Sequence, residues 1–205
     1  MDRSELPALI STWVDGLWSG EAEPIKFLLD RGLDTEHIEK YHLGYTREGI
    51  DGRYRNCISI PYLSGTGDLR GVRFRRLDDG QPKYLHVKAQ RGHLFNVGSV
   101  KHKRVYLTEG EFDAIILEQL GLPAVGVPGA ESFKEEWKWL FVGNEVRIIF
   151  DGDDAGRQSA GQLNRLLRKV ADETMVVKLP DGEDVSSLYT NSPDILDQIL
   201  GDMDA

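Results

Sequence analysis

The chain has 205 residues, 40% of them apolar, enough for one substantial domain or two small ones with real cores. No stretch approaches the roughly 20 apolar residues that span a bilayer, and "MDRSELPALI" lacks the basic, apolar, small-residue order of a signal peptide. A soluble cytoplasmic protein with no membrane partner is therefore expected. A single cysteine, Cys57, excludes an internal disulfide and a cysteine-rich zinc site, and the net charge of −9 argues at first sight against nucleic-acid binding.

In chain order, residues 4–46 carry helical patterning. "SELPALISTWVDGLW" has apolar residues at helical spacing, "EPIKFLLDRGL" predicts a helix closed by Gly32, and "DTEHIEKYHLG" predicts one that begins at Asp34 and stops at Gly44. Residues 53–98 switch to strand chemistry. "NCISIPYL", which holds Cys57 as a buried apolar residue, and "LRGVRFRRL" flank a hairpin turn "SGTGD". This Gly-x-Gly is a turn, since no helix follows it, and no "GxxxxGK" phosphate loop occurs in the chain.

The charge is unevenly spread. Residues 53–104 hold twelve basic and three acidic side chains, so the rest of the chain carries a net −18. From 105 onward strands and helices alternate: "VYLTEG", "EFDAIILEQLG", "PAVGVPG", "ESFKEEWKWLF", "EVRIIFDGD", "DAGRQSAGQLNRLLRKVA" and "TMVVKLPDG". Such alternation predicts an α/β fold with a mainly parallel sheet and flanking helices, preceded here by a smaller α+β unit. The expected division is residues 1–100, residues 101–190, and an acidic tail at 191–205 forming one short helix.

Ligands of parallel sheets sit at the carboxyl ends of the strands. Glu109 follows "VYLT", Asp151 follows "VRIIF", and Asp181 and Asp184 follow "MVVKL", so these acids are expected along one edge. Asp151 and Asp153, two residues apart, would share a face about 7 Å apart in strand geometry. Carboxylates about 4 Å apart repel by roughly 4 kcal/mol at an effective dielectric of 20. A hard divalent ion such as Mg²⁺ relieves that repulsion. Asp154 is expected to be the N-cap of the helix that follows, and Glu111 to serve the helix dipole, with Asp113 on the same first turn.

"LTEGEFDAI", "IIFDGDDAGRQSA" and "LPDGEDVSSLY" together resemble the Toprim domain of bacterial primases, type IA and type II topoisomerases and some nucleases. "PIKFLLDRGLDTEHIEKYHLGYT", "RYRNCISIPY", "GDLRGVRFRRL" and "PKYLH" are similar, in the same order, to the first half of the catalytic core of bacterial and phage DNA primases. The resemblance implies short RNA primers made from ribonucleoside triphosphates on a single-stranded DNA template, by two-metal nucleotidyl transfer with Mg²⁺ or Mn²⁺. It implies catalytic roles for Glu109, Asp151 and Asp153, metal roles for these with Asp113, Asp181 and Asp184, and template or nucleotide contacts for Arg55, Arg75 and Lys83. The setting it implies is a bacterial cell or a phage-infected host.

The chain departs from the family in two places. Asn96 stands in "HLFNVG" where a basic residue is common, with Arg91 or His93 nearby to compensate. The cysteine-rich zinc module and the helicase-interaction domain have no counterpart here, so a separate zinc-module protein and a replicative helicase are possible partners, and no zinc is expected in this chain. A Toprim nuclease and a non-catalytic replisome module remain open alternatives. Tyr84 and Phe74 are expected in the core rather than stacked on bases. Trp137 and Trp139 cannot both face inward on one helix.

Overall fold

The structure, a computed structural model, describes residues 5–50, 52–87, 92–129 and 132–201. It divides into two units, Met1–His93 and Leu94–Ala205, so residues 94–100 belong to the second. Among the described residues no helix is long and apolar enough to cross a membrane.

The first unit opens with α1 (Leu6–Ser19), which buries Leu6, Trp13 and Leu17 along one face. Helix α2 (Ala22–Leu29) ends as its sequence predicts: Gly32 is left-handed, the Leu33 amide returns to the Leu28 carbonyl, and both leucines are buried. Helix α3 (Thr35–Lys40) starts at the predicted cap, with Asp34 accepting from the His37 amide at 2.7 Å. It stops four residues before Gly44. His42 takes the left-handed position, the Leu43 amide closes onto the Ile38 carbonyl, and Gly44 instead begins β1 (Gly44–Thr46). A Cβ at Gly44 would sit 2.6 Å from the Trp13 backbone, so glycine lets β1 lie against α1.

An antiparallel sheet follows, in the order β1, β2 (Cys57–Leu63), β3 (Leu69–Arg76), β4 (Tyr84–His86). Pro61 is tolerated within β2 because β1 pairs only as far as Ser59, leaving no ladder donor needed on that side. Phe74 faces α1, packed edge-on against Trp13 and stacked 4.3 Å from Tyr54. Cys57 is fully buried there, and burial pushes its thiol up to about 11.

In the second unit, β5 (Arg104–Thr108), α4 (Glu111–Gln119), β6 (Ala124–Gly126), β7 (Glu145–Ile149), α5 (Asp154–Leu167), β8 (Glu173–Val177), α6 (Val185–Asn191) and α7 (Pro193–Gly201) build a parallel sheet of order β6-β5-β7-β8 with flanking helices. Val105, Leu107, Val125, Val146 and Ile148 pack with Ala160, Leu163 and Leu167 of α5. Within "ESFKEEWKWLF" the predicted helix is a 3-10 segment, Glu135–Phe141. Only Phe141 in it is fully buried, too little apolar face to hold an α-helix by packing. Trp137 packs against the core while Trp139 is 64% exposed.

Candidate functional site

Strands β5, β7 and β8 run parallel in register, so the segments after Thr108, Ile149 and Val177 leave the same sheet edge. The loops after β7 and β8 are joined by backbone: Gly152 donates to the Glu183 carbonyl at 2.8 Å, and Gly182 donates to the Gly152 carbonyl at 3.1 Å. A Cβ on Gly152 would overlap the Pro180 carbonyl, which explains the glycine between Asp151 and Asp153.

The side chains of this edge are fixed by helix starts. Asp153, not Asp154, is the N-cap of α5, its Oδ1 accepting from the Gly156 amide at 2.7 Å. Asp154 is instead the first helical residue, exposed, and pairs with Arg157 at 3.2 Å. Asp184 caps α6 through the Ser187 amide at 2.6 Å in a capping box. Asp113, on the first turn of α4, takes the Ser186 amide at 3.0 Å and the Ser186 hydroxyl at 2.7 Å on its Oδ1. Glu111, on the same turn, is buried.

These acids feel one another. Burial, then the charges of Glu109, Asp184 and Asp153, push Asp151 up to about 7. Burial, then Asp184 and Asp151, push Asp113 up to about 7 against the opposing pull of Ser186. Asp181 is absent from both sets. Its carboxylate is 2.9 Å from Arg157, which also donates to the Gly152 carbonyl at 2.7 Å.

Among the described residues no group of three Asp, Glu, His or Cys side chains forms a ready ligand shell. Mg²⁺ needs none, because it keeps several waters and binds one or two carboxylates together with substrate phosphates. The residues fit such an ion: all donors are hard oxygens, Asp151 and Glu109 repel each other directly, and the caps on Asp153 and Asp184 engage only Oδ1 of each.

The basic side chains lie in the first unit. Arg55 is exposed, 4.0 Å from Glu48, and with Arg53, Tyr54, Asn56, Arg76 and Asp78 lines a pocket of about 640 Å³. Arg75 lies 5.5 Å from the rings of Phe27 and Tyr84. Arg73, unmarked in the sequence reading, is 9% exposed and lies 4.0 Å over the half-buried Tyr84 ring. Strand alternation was the signal for it, since Arg73 and Arg75 share a face. Lys83 is exposed just before β4, and Arg91 lies outside the described residues.

Asn96 has a structural task. In a left-handed conformation, its Nδ2 approaches Ser99 Oγ at 2.9 Å, Glu118 Oε1 at 2.9 Å and the Ala124 carbonyl at 2.8 Å, tying the segment before β5 to α4 and β6.

The Toprim-like family model (Toprim_2) matches residues 106–189. The Gene 57 protein of Mycobacterium phage D29 is 39% identical over 145 residues, covering 67% of this chain and 93% of that protein. The DNA primase of Clostridium acetobutylicum is 25% identical over 78% of this chain and 34% of its own length. That of Staphylococcus epidermidis is 30% identical over 77% and 29%, so the chain spans about a third of these bacterial relatives. The Aquifex aeolicus primase structure, comprising zinc-binding and RNA polymerase domains, aligns with a TM-score of 0.81 at 21% identity over 96% of this chain and 59% of its own. A Pseudomonas aeruginosa DNA primase domain aligns with a TM-score of 0.80 at 24% identity over 96% and 77%.

Proposed function

From the chain's membership of the DNA primase family, through its Toprim-bearing catalytic core, we propose that it joins ribonucleotides into short primers on single-stranded DNA. The observation that carries this reading is the set of mutually repelling carboxylates around Asp151 at the carboxyl edge of the parallel sheet. Bound Mg²⁺ or Mn²⁺ would offset the mutual repulsion of these acids and the charge of a triphosphate. Glu109 and Asp151 would hold it, assisted by the second oxygens of Asp153 and Asp184, with Asp113 behind them on Ser186. Glu109 is also the candidate acceptor for the proton of the attacking 3′-hydroxyl.

In the first unit, Arg55, Arg75 and Lys83 would bind template or nucleotide phosphates, which positions a strand without reading its bases. A DnaG primase catalytic domain with a TM-score of 0.75 to this chain is solved bound to single-stranded DNA, which supports that role. A zinc-bearing protein and a helicase are the partners to add if the chain alone is slow. The proposed place of work is the cytoplasm.

The test is primer synthesis on single-stranded DNA of mixed sequence, with four labelled ribonucleotides and Mg²⁺ or Mn²⁺. The proposal expects short labelled oligomers from the wild type and a loss on the order of 10²- to 10³-fold in Asp153→Asn. Degraded DNA without oligomers would favour a nuclease; equal synthesis by the variant would remove the acid cluster from the reaction.

A further inference from the structure

We propose that Arg157 is a positioning residue for the acidic edge, and that Asp181 serves the site through Arg157 rather than as a metal ligand. Its consequence for metal binding rests on the reading above. Arg157 lies on the first turn of α5, and long helical side chains point back toward the helix start. Its guanidinium therefore reaches the Gly152 carbonyl, at 2.7 Å, in the peptide that joins Gly152 to Asp153.

The same Nη1 binds Asp181 at 2.9 Å, across from the loop after β8, and Nη2 binds Asp154 at 3.2 Å. One planar fork thus joins both acidic loops, a geometry that a lysine ammonium does not reproduce. The Gly152 carbonyl also accepts from Gly182, so the fork braces the peptide whose neighbours are the candidate ligands. Asp181 is exposed and is not among the charges that raise Asp151 or Asp113. Its carboxylate pairs with the arginine.

Two effects of removing Arg157 oppose each other. Loss of a positive charge would strengthen cation binding, while loss of the brace would weaken it; at an exposed pair the charge contribution is small, so positioning dominates. The experiment measures Mn²⁺ affinity by electron paramagnetic resonance, and amide exchange at Gly152 and Gly182 without metal, in Arg157→Ala, Arg157→Lys, Asp181→Asn and the Arg157→Ala/Asp181→Asn double variant.

Mn²⁺ affinity should fall about tenfold in Arg157→Ala and be only weakly rescued in Arg157→Lys. Asp181→Asn should resemble Arg157→Ala, and the double variant should be no worse than either. Both amides should exchange faster in each variant. Full rescue by Arg157→Lys, tighter Mn²⁺ in Arg157→Ala, or an Asp181→Asn loss that adds to that of Arg157→Ala would overturn the proposal. If the wild type binds no Mn²⁺, the metal reading fails and exchange alone decides: faster exchange upholds the brace, and unchanged exchange overturns it.

Discussion

In the antiparallel unit the guanidinium groups have local company: Arg76 is forked onto Asp78 at 2.6 and 2.9 Å, and Arg73 lies over Tyr84. At the edge of the parallel sheet the arrangement is reversed. Asp151 faces Glu109, Asp184 and Asp153, and among the described residues no Lys or Arg pairs with it or with Asp113. The nearby cation, Arg157, is engaged by Asp154 and Asp181. Charge satisfied by neighbours stabilises a fold, whereas buried charge left facing its own sign destabilises it and marks a place where a ligand completes the structure.

The sharpest way to break that contrast is to remove one of the repelling charges. Asp113 and Asp151 are raised to about 7, above their unfolded values, so their contribution to stability is fully present near pH 4 and is lost as pH rises through 7. Urea unfolding of metal-free protein should therefore show stability falling between about pH 4 and 7 and levelling off above that. Asp113→Asn, which keeps an oxygen for Ser186, should gain about 2 kcal/mol at pH 8 and little at pH 4. A flat pH profile would mean that the carboxylates do not converge.

A smaller effect probes Asn96, which sits where the family commonly has a basic residue. Asn96→Lys should cost about 1–2 kcal/mol in the same unfolding assay, because Ser99, Glu118 and the Ala124 carbonyl lose a shared donor. No gain in DNA affinity is expected. Tighter DNA binding with unchanged stability would restore that position to the nucleic-acid path.

The smallest effect belongs to the basic unit. Lys83→Ala should weaken single-stranded DNA binding alike for all sequences and make the salt slope shallower by about 0.7. A sequence-dependent loss would mean that Lys83 reads bases.

The alternation of strand and helix, the hairpin at residues 64–68 and the line of acids at strand ends are local patterns, and the chain displays them openly. What it hides depends on contacts between distant residues. Asp154 is the expected cap in sequence, but it is Asp153 that keeps the extended backbone and accepts from the Gly156 amide. Asp181 looks like its neighbours in sequence until Arg157, 24 residues earlier, is brought against it. Asn96 read as a missing cation because its three acceptors lie 3, 22 and 28 residues away. In "EEWKWLF" the helical spacing was present, but the buried surface to hold a helix was not.

The most direct test is a carboxyl ¹³C NMR titration of Asp151, with and without Mg²⁺. The account predicts a midpoint near 7 in the metal-free protein that falls well below the ordinary carboxylate range once Mg²⁺ is bound. A midpoint near 4 that Mg²⁺ leaves unmoved would contradict it.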